Sequence, residues 1–272
     1  MSNPTRIDWC SHTINPVVGC QNGCPWCYAR RQAPRVAARA AGASGKPVCG
    51  SCAAFIPHLH PERLDHIGQG KGRRVFIGSM CDLWSEGVLP EWREAIWERV
   101  AANPQNVYLV LTKRWHEIGY KETWRMWGLP NLWRGVTCTE DSFKRTVMHG
   151  SREFVSAEPL LGEVRWPGDR LWHPDWLIIG PQTGPGARVP DVSVAWHLLN
   201  AAKTAGIPVW TKGSCEKSWP GLPVLRELPV AMTEYLAAHG KRRAPGEDPD
   251  PGAAGGRVAV AGDHSGGERE AR

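Results

Sequence analysis

No export leader opens this 272-residue sequence: its first residues, MSNPTRIDWC, have neither the basic start nor the apolar stretch that one requires. No later run approaches the roughly 20 consecutive apolar residues of a membrane-crossing helix. These two absences lead us to expect a cytoplasmic chain, away from membranes. Acidic residues are missing throughout 28–46, and no internal repeat is present. Periodicity is lost after about residue 240, where KRRAPGEDPDPGAAGGRVAVAGDHSGGEREAR holds Gly, Ala, Pro and charge but little that could build a core. Residues 241–272 are therefore expected to form a disordered tail.

What is present supports one folded domain over 1–240, since 42% of the residues are hydrophobic and 22% charged, enough to bury a sizeable core. Nine cysteines are an odd number, and without an export signal they do not read as a disulfide framework. Metal binding or catalysis is the better use for them. A formal charge of +6 and a pI near 8.9 suggest an anionic partner. The fifteen tryptophans read mainly as core and cap residues, because an indole buries so much apolar area, with stacking surfaces as the lesser alternative.

Six short apolar runs, rich in branched residues, end in polar or glycine-containing stretches: RVFIGSMCD (74–82), NVYLVLTKR (106–114), LWRGVTCTE (132–140), REFVSAEPLL (152–161), DWLIIGPQTG (175–184) and IPVWTKG (207–213). Such runs fit parallel strands buried on both faces. Helices are expected between them, most clearly at 90–103, opening on Pro90 and Glu91, and at 191–206, running from a cap-like Asp191 to Gly206. Strand, loop and helix in repetition imply a sheet or barrel of the α/β class. Residues 41–72, with AGASGKPVCGSC and a His/Pro/Gly-rich stretch, break this rhythm and read as an insertion.

The densest chemistry lies in GCQNGCPWCYARR (19–31), where Cys20, Cys24 and Cys27 follow the spacing C-x3-C-x2-C. Three thiolates in one tight loop can bind three irons of a [4Fe-4S] cube. The fourth iron is then open to chelation by the amino and carboxylate groups of S-adenosylmethionine. Gly19 and Gly23 would let the chain bend around a cube, and Pro25 would stiffen it. The competing use is a structural zinc at the same cysteines, with Cys10 or a histidine as fourth ligand.

With Trp26 just before the third cysteine, this loop resembles the signature of the radical S-adenosylmethionine superfamily. INPVVGC…GCPWCYA, VFIGSMCDLW, LTKR, LPNLWRGVTCTE, VSAEPLLG, DWLIIG and TGPGAR, in that order from about Asp8 to Gly213, further resemble a family of bacteriophage-type three-cysteine-motif proteins (phage gp thirty-seven / gp sixty-eight type). The resemblance implies a partial (β/α) barrel of about six parallel strands, a 5'-deoxyadenosyl radical as the reactive species, a reductant such as flavodoxin or ferredoxin, and a separate three-Cys-motif partner protein. Two departures stand out. This chain has GPQTG (180–184) where the family often has Gly-Gly-Glu-Ser-Gly, and TKGSC (211–215) where it often has Lys-Gln.

In α/β barrels the reactive groups sit at the C-terminal ends of the strands. Here those ends carry Ser79 and Asp82, where the superfamily usually binds the cofactor's amino group, and Lys113 or Arg114, which could pair with its carboxylate or with a substrate phosphate. Thr137, Thr139 and Glu140 are placed for ribose hydroxyls. Ser156 and Glu158 follow the fifth run, with Pro159 fixing the turn, and Gly180 with Gly184 flanks a loop able to approach adenine or a phosphate. The plainer alternative for each is a helix cap or a solvated residue.

Arg31, Arg35 and Arg39 share one face if 28–46 is helical and, with Arg30 and Lys46, could steer a nucleic-acid backbone or an acidic electron donor; the plainer alternative is a solvated face. Cys49 and Cys52, followed by His58, His60 and His66, form a second candidate metal site, for zinc or an auxiliary cluster. The resulting expectation is a radical S-adenosylmethionine enzyme whose substrate the sequence leaves open, the charge and the arginines favouring a nucleic acid or nucleotide. A zinc-stabilised nucleic-acid-binding protein without catalysis is the alternative.

Overall fold

The computed structural model describes residues 3–140, 152–165 and 173–240, which belong to one compact unit spanning Met1–Lys241. The expected tail at 241–272 lies outside the described residues. Two short strands come first, β1 (Asn3–Pro4) and β2 (His12–Ile14). A small antiparallel ribbon follows, formed by β3 (Val17–Val18) and β4 (His58–Leu59), with helices α1 (Tyr28–Ser44) and α2 (Gly50–Ala54) between its strands. Apart from short 3-10 helices at Pro61–His66 and Trp115–Glu117, the remaining elements are β5 (Arg74–Ile77), α3 (Pro90–Ala101), β6 (Val107–Thr112), α4 (Tyr120–Trp127), β7 (Leu132–Thr137), β8 (Glu153–Leu160), β9 (Trp176–Pro181), α5 (Val192–Thr204), β10 (Val209–Thr211), α6 (Gly213–Ser218) and α7 (Val230–His239).

Each of the six apolar runs contains one of the strands β5 to β10. All six are parallel and neighbour one another in chain order, and β2 adds a seventh at the β5 edge; β1 closes that edge antiparallel. The seventh strand is only three residues long, too short to register as an apolar run. The helices between the strands form where expected. On α3, Pro90 occupies the first turn and Ile96, Trp97 and Val100 are buried. On α5, the Asp191 side chain accepts from the Ser193 N–H at 2.9 Å, and Ala195, Leu198, Leu199 and Ala202 form the buried stripe of an amphipathic helix.

Alternation along the strands separates two faces. Val75, Ile77, Tyr108 and Val110 pack against α3, while Val155, Leu177, Ile179 and Val209 pack against α5. The opposite face carries Phe76, Leu109, Trp133, Phe154, Trp176, Ile178 and Trp210, with Trp9 laid over it and Met232 of α7 packed on it. The ring of Trp9 lies 4.8 Å from Phe76 on β5 and 6.3 Å from Trp176 on β9. Those strands are four places apart, about 19 Å in a flat sheet at usual strand spacing. One indole touches both only because the sheet curls around it. The fold is an α/β partial barrel, and its interior is filled largely by tryptophans acting as core.

Arg134 and Glu153, both buried, pair across β7 and β8 at 3.4 Å. Burial pulls the Arg134 guanidinium down to about 10, against the opposing pull of Glu153. Arg134→Met leaves the carboxylate charged in the interior and is expected to cost about 3–5 kcal/mol. Urea denaturation of R134M, E153Q and the double variant checks this, the double being less destabilised than R134M alone.

Among the described residues, no helix is long and apolar enough to cross a membrane.

Candidate functional site

The three-cysteine loop connects β3 to α1 and is held by its backbone. Gly19, at φ +97°, donates to the Met80 carbonyl at 3.0 Å, and the Cys20 N–H donates to Phe55 O at 3.2 Å. Gly23 turns the chain at φ +67°. Cys27 is the N-cap of α1: its Sγ accepts from the Arg30 N–H at 3.3 Å, and the Arg30 guanidinium reaches back to Cys20 O at 2.8 Å. A helix N-terminus favours negative charge at this position. All three thiols are free and half-buried. Burial raises the pKa of Cys24, Lys113 opposes it, and the neighbouring Cys20, Cys27 and Asp82 reinforce it.

This end of the barrel is tied to the loop by side chains. Asn22 donates to Asp82 Oδ2 at 2.8 Å, Gln21 N donates to Ser85 Oγ at 2.7 Å, and the Tyr28 hydroxyl donates to Ser79 O at 2.7 Å. Tyr28 is 46% exposed as a residue, and desolvation of its phenol, with Glu158 and Cys27 nearby, raises its pKa.

Asp82 lies buried at the strand ends. Its carboxylate accepts from Trp84 N (3.1 Å), Thr112 Oγ1 (2.7 Å), Asn22 Nδ2 (2.8 Å) and Lys113 N (2.9 Å). Those four bonds use a carboxylate's acceptor sites and make Asp82 a brace between strand ends. Ser79 exchanges hydrogen bonds with Asn15 at 3.1–3.2 Å. Lys113 projects exposed near Cys24, while Arg114 pairs with Glu117 at 2.9 Å.

Thr137 and Ser156 stand directly opposite each other in the β7–β8 register. Their strand neighbours Val136, Val155 and Ala157 pack on the helix side, so both point to the tryptophan side. Neither hydroxyl oxygen has a hydrogen-bond partner among the described residues, though both are buried. Leaving such a group unsatisfied costs about 1–3 kcal/mol, so these two side by side are candidates for bonding a water or a polar ligand. Glu158, two residues beyond Ser156, pairs with Lys212, and the Glu158–Pro159 peptide is cis. Gly180 makes room for that pair, since a Cβ there would lie 2.8 Å from Lys212 Cδ and 3.2 Å from Glu158 Cγ. Its expected approach to adenine or phosphate is thus taken on that side by an ion pair. Thr139 accepts the Leu161 N–H through its carbonyl at 2.7 Å, and Glu140 is exposed. In the departing GPQTG segment, Gln182 Oε1 accepts from Arg188 N at 2.8 Å.

Asn15, Tyr28 and Lys212 were not among the sequence candidates. Lys212 follows β10 as Lys113 follows β6, a parallel that could have singled it out; Tyr28 was visible only as the residue after the last cysteine.

Among the described residues, the His, Cys, Asp and Glu ligand atoms that all lie within 4.8 Å of one another are those of Cys49, Cys52, His58 and His60. Cys10, weighed as a fourth zinc ligand, lies in the tryptophan-filled interior, where its thiol donates to Ile7 O at 3.6 Å and burial pushes it up to about 12. On α1 the three arginines are exposed and Ala29, Ala33 and Ala37 form the buried face. A separate cavity of about 690 Å3, lined by Trp133, Arg152, Asp175, Pro208 and Tyr235, opens at the strands' N-terminal end, away from the cysteine loop.

The molecule is therefore an α/β partial barrel with a three-cysteine loop at the C-terminal ends of its strands. Residues 4–236 match the family described as "Protein of unknown function (DUF5131)", and the chain belongs to that family. No curated protein matches. Similar solved structures include a cysteine-to-alanine mutant of spore photoproduct lyase with dinucleoside spore photoproduct (9% identity, TM-score 0.45) and a cysteine-to-serine mutant of spore photoproduct lyase (9%, 0.43), each over 81% of this chain and 77% of the other.

Proposed function

We propose that this chain is a radical S-adenosylmethionine enzyme in which Cys20, Cys24 and Cys27 hold three irons of a [4Fe-4S] cluster. The observation that carries this reading is the position of the C-x3-C-x2-C loop: half-buried thiols held by backbone bonds at the end of the barrel where the orphan hydroxyls of Thr137 and Ser156 lie. When bound, the cluster and S-adenosylmethionine would supply a 5'-deoxyadenosyl radical able to take hydrogen from an unreactive C–H bond. The chain's own residues would do the rest. Thr137 and Ser156 would hydrogen-bond the polar groups of the cofactor, and Lys113 would offset charge beside Cys24. Asn22–Asp82 and Tyr28–Ser79 would keep the loop in register with the strand ends, while the curled sheet excludes water.

Arg31, Arg35 and Arg39, exposed along α1 immediately after the loop, favour an anionic partner. We assign the substrate to the nucleic acids or nucleotides, and the reductant to acidic donors of the flavodoxin or ferredoxin kind. A three-Cys-motif partner protein could dock on the same face.

The test is anaerobic purification, reconstitution with iron and sulfide, and EPR of the reduced protein with and without S-adenosylmethionine. A [4Fe-4S] signal that changes on adding the cofactor is expected. A colourless, EPR-silent protein with zinc at Cys20, Cys24 and Cys27 would move the assignment to a nucleic-acid-binding protein without catalysis.

Ser156→Ala separates binding from folding by sign. Removing an unsatisfied buried hydroxyl should leave stability unchanged or raised. S-adenosylmethionine affinity should fall about 2- to 13-fold, the worth of one neutral hydrogen bond. Thermal melting and equilibrium binding on the reconstituted protein read the two effects separately.

A further inference from the structure

We infer that Cys49, Cys52, His58 and His60 bind a single tetrahedral zinc ion that clamps the segment supporting the three-cysteine loop. This site is separate from the proposed cluster and stands whether or not that reading holds.

The local chain explains how four ligands converge. Cys49 caps α2, with its Sγ accepting from the Cys52 N–H at 3.5 Å. Phe55, at φ +58°, then reverses the chain into β4. His58 and His60 are two residues apart at that strand, so they share a face. The His60 N–H is anchored on Pro16 O at 2.7 Å.

The ligand atoms are already gathered. Cys52 Sγ lies 3.3 Å from His58 Nε2 and 3.2 Å from His60 Nε2, Cys49 Sγ lies 3.4 Å from His58 Nε2, and the two Nε2 atoms are 2.8 Å apart. Zinc–sulfur bonds of about 2.3 Å and zinc–nitrogen bonds of about 2.0–2.1 Å put tetrahedral ligand atoms roughly 3.3–3.8 Å apart, a small expansion of this set.

The outer nitrogens fix the proton positions. His58 Nδ1 lies 2.8 Å from the Ile56 carbonyl, and His60 Nδ1 lies 3.0 Å from Glu62 Oε1. Both oxygens are acceptors, so each Nδ1 carries a hydrogen and each Nε2 is the ring atom turned toward the sulfurs and able to take a metal ion. With the thiols deprotonated, two nitrogen lone pairs and two sulfurs converge on one point, the donor set that a zinc ion would take. Carbonyl and carboxylate partners on the far ring nitrogen are also what zinc-binding histidines use to hold their orientation. A two-iron cluster with cysteines on one iron and histidines on the other would separate sulfur from nitrogen; here Cys52 touches both rings, which points to one ion.

The consequence reaches the first loop. Phe55 O receives the Cys20 N–H, and Gly19 packs against Ile56 and Pro57, so the chain between the four ligands is the surface on which the three-cysteine loop rests. Arg30, which holds Cys20 O, also lies over the Phe55 ring at 5.4 Å.

The test is the metal content of the full-length chain purified in air, measured by inductively coupled plasma mass spectrometry, with no cluster needed. One zinc per chain is expected, retained in the triple variant C20A/C24A/C27A and lost in C49S/C52S. Glu62→Gln, which leaves all four ligands in place, should weaken zinc binding about 10- to 100-fold. Cobalt exchanged into the site should give the intense visible bands of a tetrahedral sulfur–nitrogen environment. A wild-type chain that binds neither zinc nor cobalt overturns the inference, as does loss of zinc in C20A/C24A/C27A. Iron and acid-labile sulfide retained in C20A/C24A/C27A but lost in C49S/C52S would replace it with an auxiliary cluster.

Discussion

Cys20→Ala is expected to yield a folded protein that assembles no complete [4Fe-4S] cluster and has lost cleavage of S-adenosylmethionine altogether. The substitution isolates metal ligation because the residue's structural bonds run through its backbone: the N–H donates to Phe55 O and the carbonyl accepts from Arg30. Alanine retains both. Cys27→Ala is expected to abolish the same activity with an added cost of about 1 kcal/mol, because its sulfur also caps α1. Iron and sulfide content, the EPR signal and thermal melting together check the claim. Retained cofactor cleavage by reconstituted C20A would falsify the ligand assignment.

The comparison between these cysteines shows what was legible in the sequence. Spacing alone separated C-x3-C-x2-C from the C-x2-C at 49–52, and in the structure the second set is gathered with two histidines while the first lies on the loop packed beside it. Strands β5 to β10 were legible because both faces of the sheet are covered, one by helices and one by the tryptophan interior, which makes each strand a continuous apolar run. The shorter β2 was not, and neither was the placement of Trp9 inside the curl, which depends on strands far apart in the chain.

At the site, the polar strand ends were visible but their division of labour was not. Asp82 and Ser156 read alike as polar residues after apolar runs. In the fold, Asp82 is saturated by four donors while the Ser156 hydroxyl has none among the described residues. That difference depends on Asn22, Thr112 and the backbones of Trp84 and Lys113 meeting in three dimensions. Likewise, Gly180 looked like a ligand-approach glycine and turns out to seat Glu158 beside Lys212, a partner 54 residues later.

Gly19 is where the two cysteine groups meet, and Gly19→Ala is expected to be among the most damaging single substitutions in the chain. A Cβ at this position would lie 2.3 Å from both the carbon and the oxygen of the Ile56 carbonyl and 2.6 Å from Pro57 N, all backbone atoms with no rotamer to yield. Its φ of +97° adds strain for any residue with a side chain. Overpacking and left-handed strain together suggest a loss of about 2–5 kcal/mol. Gly23→Ala is the control: it shares a positive φ, +67°, but its Cβ would come no nearer than 4.0 Å to Gln21 O. Only the conformational cost of about 1–2 kcal/mol should then remain. Urea denaturation of the two variants measures the difference. Because the Ile56–Pro57 backbone lies between the four metal ligands, G19A should also lower zinc and iron content together, whereas C20A should lower iron alone. Equal destabilisation of G19A and G23A would mean that the loop does not rest on the 55–57 backbone, and the link between the two sites would fall with it.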